Sequence, residues 1–306
     1  MAKIYPQAYF GDKIVPIESA NLSIASSAVL YGLSVYTVFP VCVGADGKLL
    51  AFRLRDHWTR LTNSAKIIGI DTFARDWTEE KFQNVVQEIL AQNTITEDVF
   101  VRVTVHVSDL VPGVRSRGLG TTLSIFIYEA ACILPAAGAR LKTSVWRRVP
   151  DYAIPSRAKV NGAYVNSVLA RQDALDSGYD DCLFLDVSGH VCELSAANVF
   201  LVRDGVLHTP SHSSDILEGI SRRTILALAR DMDIAVSERT IDLTELYVAD
   251  EVFACGTSAF LTPVLEIDKR VIGDGSIGPI TAKLKEAYFD VLHGKSSQYK
   301  DFLTEY

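Results

Sequence analysis

Between Ser19 and Ala45 the chain carries no charged residue, and the stretch is long enough to cross a bilayer. That one segment must be a membrane span or be buried inside a globular fold. Its composition decides between the two. Gly32, Gly44, Pro40 and several serines interrupt it, and from Val35 it alternates as Val35-Tyr36-Thr37-Val38-Phe39, which suits buried strands better than a lipid-facing helix. The rest agrees with a globular chain. At 306 residues it is long enough for two cores, so two domains are expected. A net charge of -7 with scattered Lys and Arg gives no electrostatic footprint for nucleic acid or an anionic membrane. The five cysteines, Cys42, Cys132, Cys182, Cys192 and Cys255, lie far apart and form no Cys-x-x-Cys pair, the pattern of small apolar core residues in a reducing compartment. The start, Met1-Ala2-Lys3-Ile4-Tyr5-Pro6, has no signal-like apolar run, so a cytoplasmic protein is expected.

Turn residues and hydrophobic period divide the chain. Tyr9 to Ile17 reads as a hairpin around Gly11-Asp12, and Val35 to Leu50 as a second one turning at Gly44-Ala45-Asp46-Gly47. From about Asp56 to Ile68, Trp58, Leu61, Ala65 and Ile68 recur at helical spacing, and a second helix runs near Glu79 to Gln92. Val99 to Val107 and Thr122 to Tyr128 are β-branched and aromatic and read as strands, making the first half α+β. An Ala/Pro/Gly-rich passage then marks a boundary, giving a small domain over 1–129, an interdomain loop over 130–142 and a large domain over 143–306. The second half has strands near Leu141–Arg148, Asp181–Asp186, Val199–Arg203 and Glu251–Cys255. Its helices fall near Gly162–Asp176, Ser221–Asp231 and Pro279–Leu292. A ligand is expected in a cleft between the halves.

Five segments carry residue types suited to chemistry. Lys159 follows a Pro155 break and Glu193 lies among apolar and small residues. A lysine amine and a carboxylate are what an aldehyde cofactor with a basic ring nitrogen requires, one to form a Schiff base and one to keep the ring protonated. Leu217-Glu218-Gly219-Ile220-Ser221 opens a helix, where exposed amides and the Ser221 hydroxyl suit a phosphate. Gly256-Thr257-Ser258-Ala259 ends an apolar strand with small residues that let an anion approach the backbone. Arg60, on the first-half helix, offers a two-pronged guanidinium, while His57 reads as a structural residue at the helix start.

Together these segments resemble the class IV, or fold type IV, aminotransferases that use pyridoxal 5′-phosphate. The resemblance runs from Tyr31 to about Leu292. It is closest to branched-chain amino acid aminotransferases at Trp146-Arg147-Arg148, Lys159 to Tyr164, Glu193 to Phe200, Leu217 to Arg222 and Tyr247 to Phe253. It implies an α/β protein, with a small α+β domain and a larger, β-barrel-like domain, that forms a homodimer. It also implies that Lys159 is the Schiff-base lysine and proton shuttle, Glu193 the partner of the pyridine nitrogen and Tyr164 a donor to the phenolic oxygen. Arg60, Ile220, Ser221 and Thr257 would hold the phosphate, and no metal is implied.

Substrate residues are expected at Tyr31, Tyr36, Val38, Phe100, Arg102, Thr257 and Ser258. Here the chain departs from the branched-chain pattern. The usual Tyr-Gly-x-Ser-Val-Phe-Glu-Gly reads Tyr31-Gly32-Leu33-Ser34-Val35-Tyr36-Thr37-Val38, and its Tyr36-Thr37-Val38-Phe39 is similar to (R)-selective amine transaminases. Tyr-x-Arg has become Phe100-Val101-Arg102. The expected activity is amino transfer between a hydrophobic, branched-chain L-amino acid and a 2-keto acid such as 2-oxoglutarate. The alternatives are (R)-amine or D-amino acid transamination and, third, an aminodeoxychorismate lyase.

Overall fold

The computed structural model describes residues 3–111 and 113–306. In chain order the strands are β1 (Gln7–Phe10), β2 (Lys13–Pro16), β3 (Ser34–Val43), β4 (Leu49–Phe52), β5 (Val99–Val107), β6 (Thr121–Glu129), β7 (Ala139–Thr143), β8 (Asp181–Leu185), β9 (Val191–Leu194), β10 (Asn198–Arg203), β11 (Val206–Pro210), β12 (Val236–Arg239), β13 (Glu251–Gly256), β14 (Phe260–Ile267), β15 (Arg270–Val271) and β16 (Leu303–Glu305). The helices are α1 (Ser27–Tyr31), α2 (Leu54–Ile67), α3 (Phe73–Asp76), α4 (Glu79–Gln92), α5 (Tyr164–Asp176), α6 (Ile220–Asp231), α7 (Leu243–Tyr247) and α8 (Pro279–Leu292). Among the described residues no helix is long and apolar enough to cross a membrane, and the uncharged stretch becomes α1 and the buried strand β3.

Two compact units result. The first comprises the chain up to Ala131 together with Ala158–Ala163 and Val291–Tyr306, and the second comprises Cys132–Arg157 and Tyr164–Asp290. The expected loop over 130–142 is therefore in part strand, because β7 begins at Ala139. The expected 143–306 domain also cedes two stretches. Ala158 and Val160 insert into the apolar core of the first unit, and β16 pairs with β4, so burial and strand pairing override chain order.

The first unit is a seven-stranded antiparallel sheet in the order β16-β4-β3-β5-β6-β1-β2. Period two gives it two different faces. Val35, Phe39, Val41, Val99, Val101, Val103, Val105, Val107, Leu123, Ile125 and Ile127 face one core, covered by Trp58, Leu61 and Ala65 of α2 and by Phe82, Val86 and Ile89 of α4. Trp58 stacks on Phe82 with ring centroids 5.1 Å apart. The alternate positions run in register across the other face as Tyr36↔Thr104↔Ser124, Val38↔Arg102↔Phe126 and Pro40↔Phe100↔Tyr128.

The second unit closes on itself. Its nine strands run β12-β11-β10-β13-β14-β7-β8-β9, with β15 beside β14, and a further β9–β10 pairing joins six of them into a ring. In β8, Leu183 and Leu185 turn to the barrel interior, while Cys182 and Phe184 pack under Ala170 and Ala174 of α5. With both sides covered, Cys182 to Leu185 read as an unbroken apolar run. β7 stops at Thr143, short of the expected Arg148, because the Ser144 Oγ accepts the Trp146 backbone N–H and diverts the chain from the ladder.

Gly32 has the tightest steric requirement near the site. It caps α1 in the left-handed region at φ 63°, and a Cβ there would stand 2.8 Å from the Gly162 Cα. Gly32→Val therefore combines backbone strain with a backbone clash, and we expect a loss of about 1–3 kcal/mol. Urea denaturation checks this, and a variant as stable as the parent would contradict it.

Candidate active site

Lys159 lies on the strap 158–163, whose backbone is fixed at almost every residue. The Lys159 N–H donates to Ser64 Oγ at 3.1 Å, and the Lys159 carbonyl accepts from the Tyr36 N–H at 3.0 Å. The Asn161 N–H reaches the Ser34 carbonyl at 2.9 Å, and Val160 bridges to Val35. The strap thus extends the ladder alongside β3. Its side chains divide as a strand's do: Ala158 and Val160 enter the core, while the Lys159 Nζ lies 4.8 Å from the centroid of the Tyr36 ring.

Arg102 shares that ring. Its guanidinium carbon is 3.8 Å from the Tyr36 centroid, and its Nη2 donates to Asn161 Oδ1 at 2.7 Å. Tyr36, Val38 and Phe100 are buried on this face, and Phe126 and Tyr128 are half-buried beside them, their rings 5.6 Å apart. His106 donates to or accepts from Ser124 Oγ at 2.9 Å, and burial with Arg102 nearby lowers its pKa to about 4. It is neutral near pH 7. Tyr31, the last residue of α1, is exposed.

Thr37 points the other way, toward the helices. Its Oγ1 lies 2.6 Å from His57 Nδ1 and accepts from Arg60 Nη2 at 3.3 Å. His57, expected as a structural residue at the helix start, is buried one turn into α2, because the helix begins earlier, at Leu54.

In the second unit Glu193 sits where the barrel closes. Asn198↔Glu193 is the register pair joining β9 to β10, and the two side chains also bond, Asn198 Nδ2 donating to Glu193 Oε2 at 3.0 Å. The same oxygen accepts the Leu217 N–H at 3.1 Å, and Arg148 Nε stands 2.9 Å from Oε1. Two donors and a cation around one buried carboxylate favour its anionic form. Asn198 was not anticipated from the sequence, although it stands in the Glu193–Phe200 segment. Its Nδ2 also donates to the Leu217 carbonyl at 3.0 Å, and a Cβ on Gly219 would fall 2.0 Å from its Oδ1. That single amide therefore ties the acid to the loop entering α6.

Helix α6 starts at Ile220 with Gly219 as N-cap, so Ser221 lies inside the first turn and is not the cap. Among the described residues no side chain caps this end and no acid stands in its first turn, leaving amide donors suited to an anion. Ser221 Oγ is 3.0 Å from the Tyr288 hydroxyl, a buried partner that the sequence did not reveal. The Asn198↔Cys255 register sets the Thr257-Ser258-Ala259 turn beside the same region, and a Cβ on Gly256 would approach the Ala196 carbonyl to 3.1 Å. Tyr164 is the first residue of α5.

The amino-transferase class IV family model matches residues 34–267. The chain belongs to the class IV aminotransferases. A probable branched-chain-amino-acid aminotransferase from Aquifex aeolicus is 39% identical, over 97% of this chain and 96% of that protein. The branched-chain aminotransferase of Thermoproteus uzoniensis, solved with norvaline, superposes with a TM-score of 0.93 at 35% identity, covering 98% of this chain and 99% of that one. The branched-chain amino acid aminotransferase of Thermobaculum terrenum, solved in its pyridoxal-phosphate form, gives a TM-score of 0.90 at 31% identity, covering 99% of this chain and 98% of that one. Transaminase chemistry with pyridoxal 5′-phosphate is that of this family, and the donor set fits the cofactor: a fixed carboxylate for a ring nitrogen, an uncapped helix start for a phosphate and a strap-borne amine.

Within this class IV chain, the expected residues fall into clusters inside each unit. Lys159, Tyr36 and Arg102 come together on one ring, with Val38 and Phe100 on the same sheet face. Arg60 is on the helix side of that sheet, with Thr37. Glu193, Ile220, Ser221, Thr257 and Ser258 belong to the second unit.

Because the His106 pKa is lowered, the folded state keeps a neutral imidazole, whereas the unfolded chain takes a proton near pH 6.5. Stability is therefore fully present above about 6.5 and is lost as pH falls toward 4. Thermal melts of His106→Gln should show a shallower acid limb than the parent between these values. Parallel curves would place His106 in water.

Proposed function

We propose that the chain transfers the amino group of a hydrophobic, branched-chain L-amino acid to a 2-keto acid such as 2-oxoglutarate, using pyridoxal 5′-phosphate. The observation that carries this is the pairing of the Lys159 amine and the Arg102 guanidinium on the one Tyr36 ring. An amine to move a proton and a cation to read the side-chain carboxylate of a dicarboxylic partner, both on one ring among aromatic and apolar groups, match an exchange between a hydrophobic amino acid and a dicarboxylic keto acid better than turnover of a plain amine. The branched-chain activity named for the relatives supports the same reading.

When bound, the cofactor supplies an aldehyde to receive the amino group and a ring that accepts electrons from the substrate Cα. The protein supplies the rest. Lys159 would take the Cα proton as general base and deliver it, as general acid, to the cofactor carbon that carries the nitrogen, and its strap keeps the amine from drifting off line. Glu193, fixed by Arg148, Asn198 and Leu217, holds a proton at the ring nitrogen. Tyr164 donates to the phenolic oxygen. Arg60, the amides of Ile220 and Ser221 and the Ser221 and Thr257 hydroxyls bind the phosphate. Tyr31, Tyr36, Val38, Phe100, Arg102, Thr257 and Ser258 meet the substrate.

The working form is a homodimer in the cytoplasm. Supporting the dimer, α5 presents Val165, Val168 and Leu169 at helical spacing to solvent, the first two 64% and 65% exposed. Supporting the compartment, all five thiols are free, four of them buried and Cys132 exposed.

A half-reaction panel tests the function: L-leucine should discharge the cofactor's visible absorbance far faster than D-alanine or (R)-1-phenylethylamine. Preference for the (R)-amine would favour the reading of Tyr36-Thr37-Val38-Phe39 as an amine-transaminase segment. Lys159→Ala should abolish turnover while far-UV circular dichroism is retained, and full activity in that variant would overturn the assignment. Glu193→Gln should keep the cofactor yet slow single-turnover proton abstraction by about 10²–10³-fold. Unchanged kinetics would place Glu193 outside the reaction.

A further inference from the structure

Arg102 is a half-buried guanidinium whose partners, among the described residues, are an amide oxygen and an aromatic ring, with no carboxylate beside it. The amide is Asn161, and Asn161 is also part of the lysine strap. Its Oδ1 accepts from Arg102 Nη2 at 2.7 Å, its Nδ2 donates to Ser34 Oγ at 2.7 Å, and its backbone N–H bonds the Ser34 carbonyl at 2.9 Å. One residue thus joins β3, β5 and the strap two positions beyond Lys159.

We propose that Asn161 is a positioning residue for substrate choice: it aims the Arg102 guanidinium, and its neutrality leaves that charge for the second carboxylate of a dicarboxylic keto acid or amino acid. This rests on the reading of Arg102 as a carboxylate-binding group. The register Val38↔Arg102↔Phe126 sets the guanidinium between apolar side chains. A branched side chain and a side chain ending in a carboxylate can therefore use the same surface, provided the arginine keeps its charge and can turn its remaining N–H groups to the ligand. An amide suits this because it accepts one N–H without neutralising the cation. A carboxylate at position 161 would pair with Arg102 internally and compete with the substrate. Neutral His106 meets the same condition, since it adds neither a rival anion nor a second cation to this face.

The test is steady-state kinetics of the holoenzyme with 2-oxoglutarate and, separately, 4-methyl-2-oxopentanoate as acceptor, in wild type, Arg102→Leu, Asn161→Asp and Asn161→Ala. Asp is isosteric with Asn, and the Ser34 hydroxyl can donate to it, so the strap keeps its anchor while the charge changes. Asn161→Asp should raise the ratio of KM for 2-oxoglutarate to KM for 4-methyl-2-oxopentanoate tenfold or more, as Arg102→Leu should. The Asn161→Ala ratio should rise less, because the aim is lost and the charge is kept. A ratio raised by Arg102→Leu and unmoved by Asn161→Asp overturns the role of Asn161 alone. A ratio unmoved by Arg102→Leu overturns the reading of Arg102 and the inference with it. A fall in kcat common to both acceptors in the Asn161 variants, at constant ratio, shows a residue that only braces the strap and likewise overturns the proposal.

Discussion

The strap 158–163 is held by backbone hydrogen bonds along one side of β3, and most of the geometry of the candidate site in the first unit depends on that docking. Buried peptide groups must find partners, and β3 offers its N-terminal half for the purpose. Gly32, Ser34 and Tyr36 take up Gly162, Asn161 and Lys159 in turn. Once that register is set, period two does the rest, sending Ala158 and Val160 into the core and Lys159 toward the Tyr36 ring. A slip of one residue would bury the amine and expose two apolar side chains. Misregister is thus costly for stability and, under the proposed function, for catalysis as well.

In the second unit a similar coincidence holds at Glu193. The pair Glu193–Asn198 closes the barrel, and its side chains bond to each other, to Leu217 and, through Glu193, to Arg148. A buried carboxylate without such partners would be costly and would take up a proton. The irregular passage after β7 has its explanation here as well: by leaving the ladder at Ser144 and returning at Arg148, whose N–H bonds the Leu185 carbonyl, the chain brings a guanidinium to the acid. Fully buried Arg222 plays a structural counterpart, binding the Pro210 carbonyl and Glu238 at 2.8 Å each.

Much of the secondary structure was legible because its causes are local. The hairpin at Gly11-Asp12, helix α4 and strand β5 match the expected spans closely, since turn chemistry and hydrophobic period act over a few residues. The short strands β9, β11, β12, β15 and β16 were not anticipated. Each is five residues or fewer and is strand only because a neighbour pairs with it. The domain boundaries diverged for the same reason. Nothing local in Ala158–Ala163 tells that its hydrogen bonds lie far back along the chain, as that from Asn161 to Ser34 does at a separation of 127.

By itself the sequence determined that this is a class IV aminotransferase and supplied the residue types proposed for its chemistry, because Lys159, Glu193 and the Gly219–Ser221 and Gly256–Ser258 segments keep their identity whatever the surroundings. Only the tertiary structure decided their company. That Tyr36 carries both Lys159 and Arg102, that Thr37 turns away to His57 and Arg60, that Asn161 holds Arg102 and that Asn198 holds Glu193 all follow from strand register and barrel closure. Those are set by the burial of apolar faces and the pairing of distant backbone groups, and neither leaves a mark within a short window of residues.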